Sequence, residues 1–167
     1  MTLTLLALTI YAPMLLEAIR AARNERAQFA RGAIEPADDV YRQMQVMYPG
    51  AFAAMLLELA WRGRPSDEVI AAGAAVFAFA KALKWWAILT LGPAWTFRVL
   101  VVPRAPLVTR GPYRFLRHPN YVGVVGELVG VALMTGALVA GPTATLLFGV
   151  LLKKRRGVED RALGRSL

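Results

Sequence analysis

Residues 119–152 read PNYVGVVGELVGVALMTGALVAGPTATLLFGVLL, and in that run only Glu127 carries a charge. A membrane-spanning helix needs roughly 20 mostly apolar residues. Gly141-Pro142 is a strong breaker pair, so the stretch reads as two helices divided there, a C-terminal helical hairpin. The second arm reaches Lys153 after only a short apolar course, and is expected to continue into water carrying Lys153 to Arg165. Upstream the same pattern recurs. Residues 1–16 and 43–57 carry no charge. Candidate spans therefore run from Thr2 to Ile19, from Tyr41 to Trp61 and from Val69 to Leu91. Met1-Thr2 supplies no basic start, so the first reads as a retained helix rather than a cleaved signal. Pro49 inside the second frees the carbonyl of Gln45, which neighbours or water must then satisfy. The expected fold is all-α and polytopic, a single domain over 1–167 with about five transmembrane helices.

Composition agrees. Of the 167 residues 57% are hydrophobic and 19% charged, with a net charge of +9; soluble domains carry ~25% charged residues. A nucleic-acid-binding protein this basic should also be polar, and this chain is not. There is no cysteine, and His118 is the only histidine. That excludes disulfides, a thiolate nucleophile and a Cys/His metal centre. Outside the third span, basic residues fall in three clusters, Arg20 to Arg42, Arg98 to Arg117 and Lys153 to Arg165, with Arg62 and Arg64 the one contrary pair, offset by Asp67 and Glu68. Five crossings put all three on one side. Basic loops stay cytoplasmic, so the N-terminus is expected outside and the C-terminus in the cytoplasm, in a bacterial inner membrane. Lys81 and Lys84 lie within the third span, where long side chains ordinarily snorkel to the interface; lining a wet cavity is the alternative. Gly123, Gly126 and Gly130 follow a small-residue spacing that permits close helix packing.

The chemistry-bearing segment lies between the third and fourth spans. Val99 to Pro103 reads as extended chain and Gly111-Pro112 as a turn. Three arginines (Arg110, Arg114, Arg117), His118, Tyr113 and Tyr121 then crowd within 110–121. Pro119 suits a first helical turn, which puts His118 near the N-cap, where unpaired backbone N–H groups favour an anion. Such a set suits a ligand with a carboxylate, an aromatic base and a positive centre.

Gly111-Pro-Tyr-Arg-Phe-Leu-Arg-His-Pro-Asn-Tyr-Val-Gly123 resembles the signature of the isoprenylcysteine carboxyl methyltransferase and phospholipid methyltransferase superfamily. These are integral membrane enzymes that use S-adenosylmethionine. Their signature pairs with an acidic pair beyond a helical hairpin, a place held here by Glu159-Asp160. Leu91-Gly-Pro-Ala-Trp-Thr96, Arg23-Asn-Glu-Arg26 and Ala30 to Glu35 resemble the small bacterial branch, which includes enzymes acting on alkylpyrones and alkylresorcinols. The resemblance spans most of the chain, with its motif region at 107–165. It implies a cytoplasmic-side cofactor site formed by Tyr113, Arg117, His118, Pro119, Tyr121, Glu159 and Asp160. No metal is implied, and no Gly-x-Gly-x-x-Gly element is present.

The expected substrate is lipophilic or lipidated, met among membrane lipids, with no nucleic acid partner. Methyl transfer needs an electron-rich acceptor held in line with the methyl group. The one histidine belongs to the cofactor motif, and Glu127 and the acidic pair are poor candidates for a base. A carboxylate or acidic enol on a long apolar tail is therefore the expected acceptor, with Arg98 and Arg114 as its anion contacts. Glu127 either lines the site or pairs with Lys81 or Lys84. Two other readings stay open: an NADPH-dependent membrane reductase of the steroid-reductase type, whose Arg-His-Pro-x-Tyr element is similar, and a non-enzymatic membrane scaffold or transporter component.

Overall fold

A computed structural model describes residues 2–164; Met1 and residues 165–167, among them Arg165 of the third basic cluster, lie outside the described residues. Five helices follow in order: α1 (Leu3–Ala30), α2 (Tyr41–Arg62), α3 (Asp67–Leu91), α4 (Pro119–Thr135) and α5 (Ala140–Ala162). Single 3₁₀ turns cover Gly92–Ala94 and Gly111–Arg114. The described residues contain no strand, only an isolated antiparallel bridge between Ile34 and Val101. Val101 is thus extended, as the β-branched run implies.

Glycine sets the closest helix pair. A Cβ at Gly130 would lie 2.7 Å from the Phe77 nitrogen, and one at Gly73 would lie 2.6 Å from the Met134 nitrogen. Gly123 and Gly126 face Lys84 and Ala80 in the same way. The small-residue spacing in α4 therefore seats it directly on the backbone of α3. Leu6, Ile10, Phe52, Met55, Leu128, Val131 and Phe148 fill the core between this pair and the other helices.

The hairpin divides elsewhere than Gly141-Pro142. Gly136 ends α4 in the left-handed region at φ +63°, and Gly141-Pro142 lies inside the first turn of α5. Proline is tolerated there because its missing N–H has no helical partner in the first turn. Glu58 of α2 accepts hydrogen bonds from the Val139 and Ala140 N–H groups at 3.1 and 2.7 Å, so this helix start is capped from a neighbouring helix.

Helix α1 runs well past Ile19, so Arg20, Arg23 and Arg26 lie on a helix and not in a loop. The polar extension holds the segment after α3. Asn24 donates to the Gly92 and Trp95 carbonyls, Gln28 donates to that of Pro93, and Glu25 accepts from the Phe97 and Arg98 N–H groups. Helix α2 continues across Pro49, whose carbonyl accepts a 2.9 Å hydrogen bond from the Tyr11 hydroxyl.

Two helical segments, Leu3–Ala30 and Asp67–Ala94, are long and apolar enough to cross a membrane, and Pro119–Thr135 is a shorter apolar helix. Leu5, Leu8, Leu15, Leu16, Phe79, Leu146 and Val150 are exposed on the outside. Apolar surface that extensive needs a non-aqueous partner.

Candidate active site

The positioning of the motif starts at Gly111. Its φ of +58° is in the left-handed region, and the Thr90 hydroxyl sits 2.5 Å from where a Cβ would be. Only glycine meets both conditions. Pro112 is buried behind it, and the 3₁₀ turn carries Tyr113 toward the interior and Arg114 outward. His118 is the N-cap residue of α4, with Pro119 in the first position; the imidazole makes no capping bond, which leaves it available for side-chain partners.

Those partners come from α5. His118 Nε2 lies 3.2 Å from Asp160 Oδ1, and Nδ1 lies 3.4 Å from Glu159 Oε2. Tyr121, one turn later, donates its hydroxyl to Glu159 Oε2 at 2.5 Å, and its ring stacks on the imidazole with centroids 5.0 Å apart. Asp160 is buried and also meets Arg156 Nε at 3.4 Å. Burial works against the Glu159 charge, but hydrogen bonds from His118 and Tyr121 and the nearby Arg155 outweigh it, holding the carboxyl below its usual range. Burial pushes the Tyr113 hydroxyl upward and the Glu159 charge adds to this, so Tyr113 stays a neutral donor.

This cluster opens on a cavity of about 730 Å³, within the ordinary range for small-molecule sites. Tyr113, Arg117, His118, Asn120, Tyr121 and Glu159 line its polar end. Pro119 and Asp160 stand behind that wall and support it, the first by starting α4 and the second by holding His118. The cavity also reaches Glu17 of α1, Tyr48 of α2 and Lys84 of α3. Gln45, the residue whose carbonyl Pro49 frees, lines the same cavity.

Three expected residues are placed differently from the rest. Arg98 borders the cavity, but its Nη1 is held by both oxygens of Glu35 at 3.0 and 2.9 Å, and its Nε lies 3.5 Å from Glu25. Those bonds raise its pKa further and leave no free fork for a substrate anion. Arg114 is exposed and does not line the cavity; its guanidinium lies 5.8 Å from the Phe115 ring centre. Glu127 lies behind the wall, taking Lys81 Nζ at 2.9 Å, Lys84 Nζ at 3.2 Å and the Tyr48 hydroxyl at 2.6 Å. Both lysines also hold Glu17, at 2.9 and 2.6 Å. They are therefore tied into an ion cluster rather than snorkelling.

Sequence reasoning passed over Glu17, Tyr48, Asn120 and Arg155. Glu17 did leave a signal, a carboxylate inside an apolar span. Arg155 left none, because only burial separates it from Lys153, Lys154 and Arg156; it lies 3.1 Å from Asp39 and donates to the Phe97 carbonyl.

The sequence profile of the isoprenylcysteine carboxyl methyltransferase (ICMT) family matches residues 73–165, which takes in α4, α5 and both halves of the His118 cluster. The chain belongs to this family. Uncharacterized protein YpbQ of Bacillus subtilis (strain 168) is 32% identical over 143 residues, covering 86% of this chain and 85% of the relative. An uncharacterized protein of Haemophilus influenzae (strain ATCC 51907 / DSM 11121 / KW20 / Rd) is 24% identical over 149 residues, covering 86% and 87%. No solved structure gives a significant match. ICMT membership implies a membrane methyltransferase, and members of the family in general use S-adenosylmethionine. The two long apolar helices point to the membrane as well.

The residues present fit that cofactor. Asn120 lines the cavity, and its buried side-chain oxygen lacks a hydrogen-bond partner among the described residues, an acceptor suited to an amine or ribose hydroxyl. Arg117 offers a cation for a carboxylate, and Glu159 an acceptor for an ammonium group.

Proposed function

We propose that this ICMT-family protein is an S-adenosylmethionine-dependent O-methyltransferase acting on a lipid-tailed substrate within the membrane. The observation that carries this reading is the meeting of His118 and Tyr121 with Glu159 at the polar end of a cavity that runs inward between the helices. When bound, S-adenosylmethionine supplies the electrophilic methyl group. Arg117 and the start of α4 hold its carboxylate, Glu159 and Asn120 accept its hydrogen-bond donors, and Tyr121 and Tyr113 present ring faces to the sulfonium charge. Asp160 holds the imidazole of His118 in place. The apolar remainder of the cavity takes the acceptor, whose oxygen lies on a carboxylate or an acidic hydroxyl.

Calorimetry on detergent-purified protein should show binding of S-adenosylmethionine and none of NADPH. His118→Ala or Glu159→Ala should weaken that binding by ~1–3 kcal/mol, the loss of a charge-assisted hydrogen bond. Arg23→Ala with Arg26→Ala should leave it intact, since both are exposed on α1. Unchanged affinity in folded His118→Ala and Glu159→Ala would remove the site from this end of the cavity, and NADPH binding would favour a reductase.

Five crossings of the inner membrane complete the reading, with the N-terminus outside and the cofactor end cytoplasmic. A reporter fused after Leu167 should register the cytoplasm and one fused before Met1 the opposite side. Both ends on one side would mean an even number of crossings, with α5 the first to doubt because Lys153 cuts its apolar part short.

A further inference from the structure

The geometry points to Glu17 and Lys84, where the cavity meets the ion cluster between the helices (its inner end), as the pair that binds a hydroxyl carried by the cavity's lipophilic ligand. This rests on the methyltransferase reading and names the chemistry of its substrate.

The inner end is built from groups on four helices: Glu17 of α1, Lys84 of α3 and Glu127 of α4, all buried, with the half-buried Tyr48 of α2 and Lys81 of α3. Glu17, Tyr48 and Lys84 touch the cavity, while Lys81 and Glu127 back them. Charged groups at membrane depth are costly and are kept where they serve a site. A purely structural role would not need three of the five to border open space.

Hydrogen-bonding capacity tells what the inner end can accept. A carboxylate has about four lone-pair positions, and Glu17 uses one oxygen for Lys81 and the other for Lys84. Lys84 has three N–H donors, with Glu17 Oε2 at 2.6 Å and Glu127 Oε1 and Oε2 at 3.2 and 3.4 Å. The inner end thus retains lone pairs on Glu17 beside a Lys84 donor that makes only long contacts to Glu127. A hydroxyl matches both, donating to Glu17 and accepting from Lys84. A carboxylate matches poorly, because the two lysines are already balanced by two glutamates and Glu17 would repel it. The arginines expected to take its anion are not available there: Arg98 is held by Glu35 and Glu25, and Arg114 lies outside the cavity; Arg155 is held by Asp39.

The test uses three probes of equal tail length, 4-dodecylphenol, dodecanoate and dodecylbenzene, with bound probe counted by native mass spectrometry of the detergent-purified protein. Wild type should hold 4-dodecylphenol at least about fivefold more than either of the others. Glu17→Gln and Lys84→Met should reduce it to the dodecylbenzene level, while S-adenosylmethionine affinity, measured separately by calorimetry, stays within about twofold. The charge-balanced pair Glu17→Gln with Lys84→Met serves where a single change prevents folding. Equal retention of all three probes by wild type, a preference for dodecanoate, or a phenol preference that survives the substitutions would each overturn the inference. Wild type that selects the phenol yet binds no S-adenosylmethionine would instead sink the methyltransferase reading while leaving the hydroxyl site in place.

Discussion

Gly130→Ala should lower the stability of the protein by about 3 kcal/mol or more, well beyond the ordinary core substitution. The new methyl would stand 2.7 Å from the Phe77 nitrogen and 2.9 Å from the Gly73 oxygen. Both are backbone atoms in the middle of α3, so no side chain can rotate away and the two helices must separate. Separation also loosens the packing of Leu128 and Val131, which are fully buried on the same helix. Gly149→Ala in α5 is the internal control. Nothing lies within 4 Å of a Cβ there, so the substitution should be neutral or should gain up to about 1 kcal/mol from helix propensity. Thermal unfolding in detergent micelles measures both. A Gly130→Ala midpoint equal to that of Gly149→Ala would mean that the α3–α4 crossing is wider than described.

That crossing was legible in the sequence because spacing alone carries it: glycines at 123, 126 and 130 can serve little else on one helix face. The hairpin break was misread for an equally physical reason. Gly141-Pro142 is the stronger breaker by composition, yet a proline in a first helical turn breaks nothing, and Gly136 does the work through its left-handed φ. The end of α1 was misread because hydropathy reports where a helix leaves an apolar medium, not where it ends. Asn24, Glu25 and Gln28 keep α1 helical by binding the segment after α3, and such long-range pairing leaves no periodic trace.

At the candidate site the residues close in sequence were legible and the distant partners were not. Tyr113, His118 and Tyr121 announced themselves as a crowd of functional types beside a helix start. That Glu159 and Asp160 meet them followed from resemblance, since spacing cannot bring residue 159 to residue 118 without a known hairpin. Arg98 was misjudged because a lone arginine in a loop looks free until Glu35 and Glu25, from before α2, are seen around it. Glu17 was the most informative omission: its charge lay in plain view within the first span, but its partners, Lys81 and Lys84, sit on α3.

The cluster around Glu17 gives the second large effect. Lys81→Met should cost about 3–5 kcal/mol, the range for removing one partner of a buried ion pair. Lys81 contacts Glu17 and Glu127 at 2.9 Å each, and both carboxylates are 1% exposed. Without it, two buried carboxylates face one ammonium. Glu127→Gln alone leaves the reverse excess and should cost a similar amount, while keeping an acceptor for the Tyr48 hydroxyl. Combined, Lys81→Met and Glu127→Gln leave Glu17 with Lys84, a neutral pair at 2.6 Å, so the double variant should be more stable than either single one. The sign is the informative part. Independent surface-like contributions would add, making the double variant the least stable of the three, and unfolding midpoints in that order would show that these four charges do not act as one buried unit.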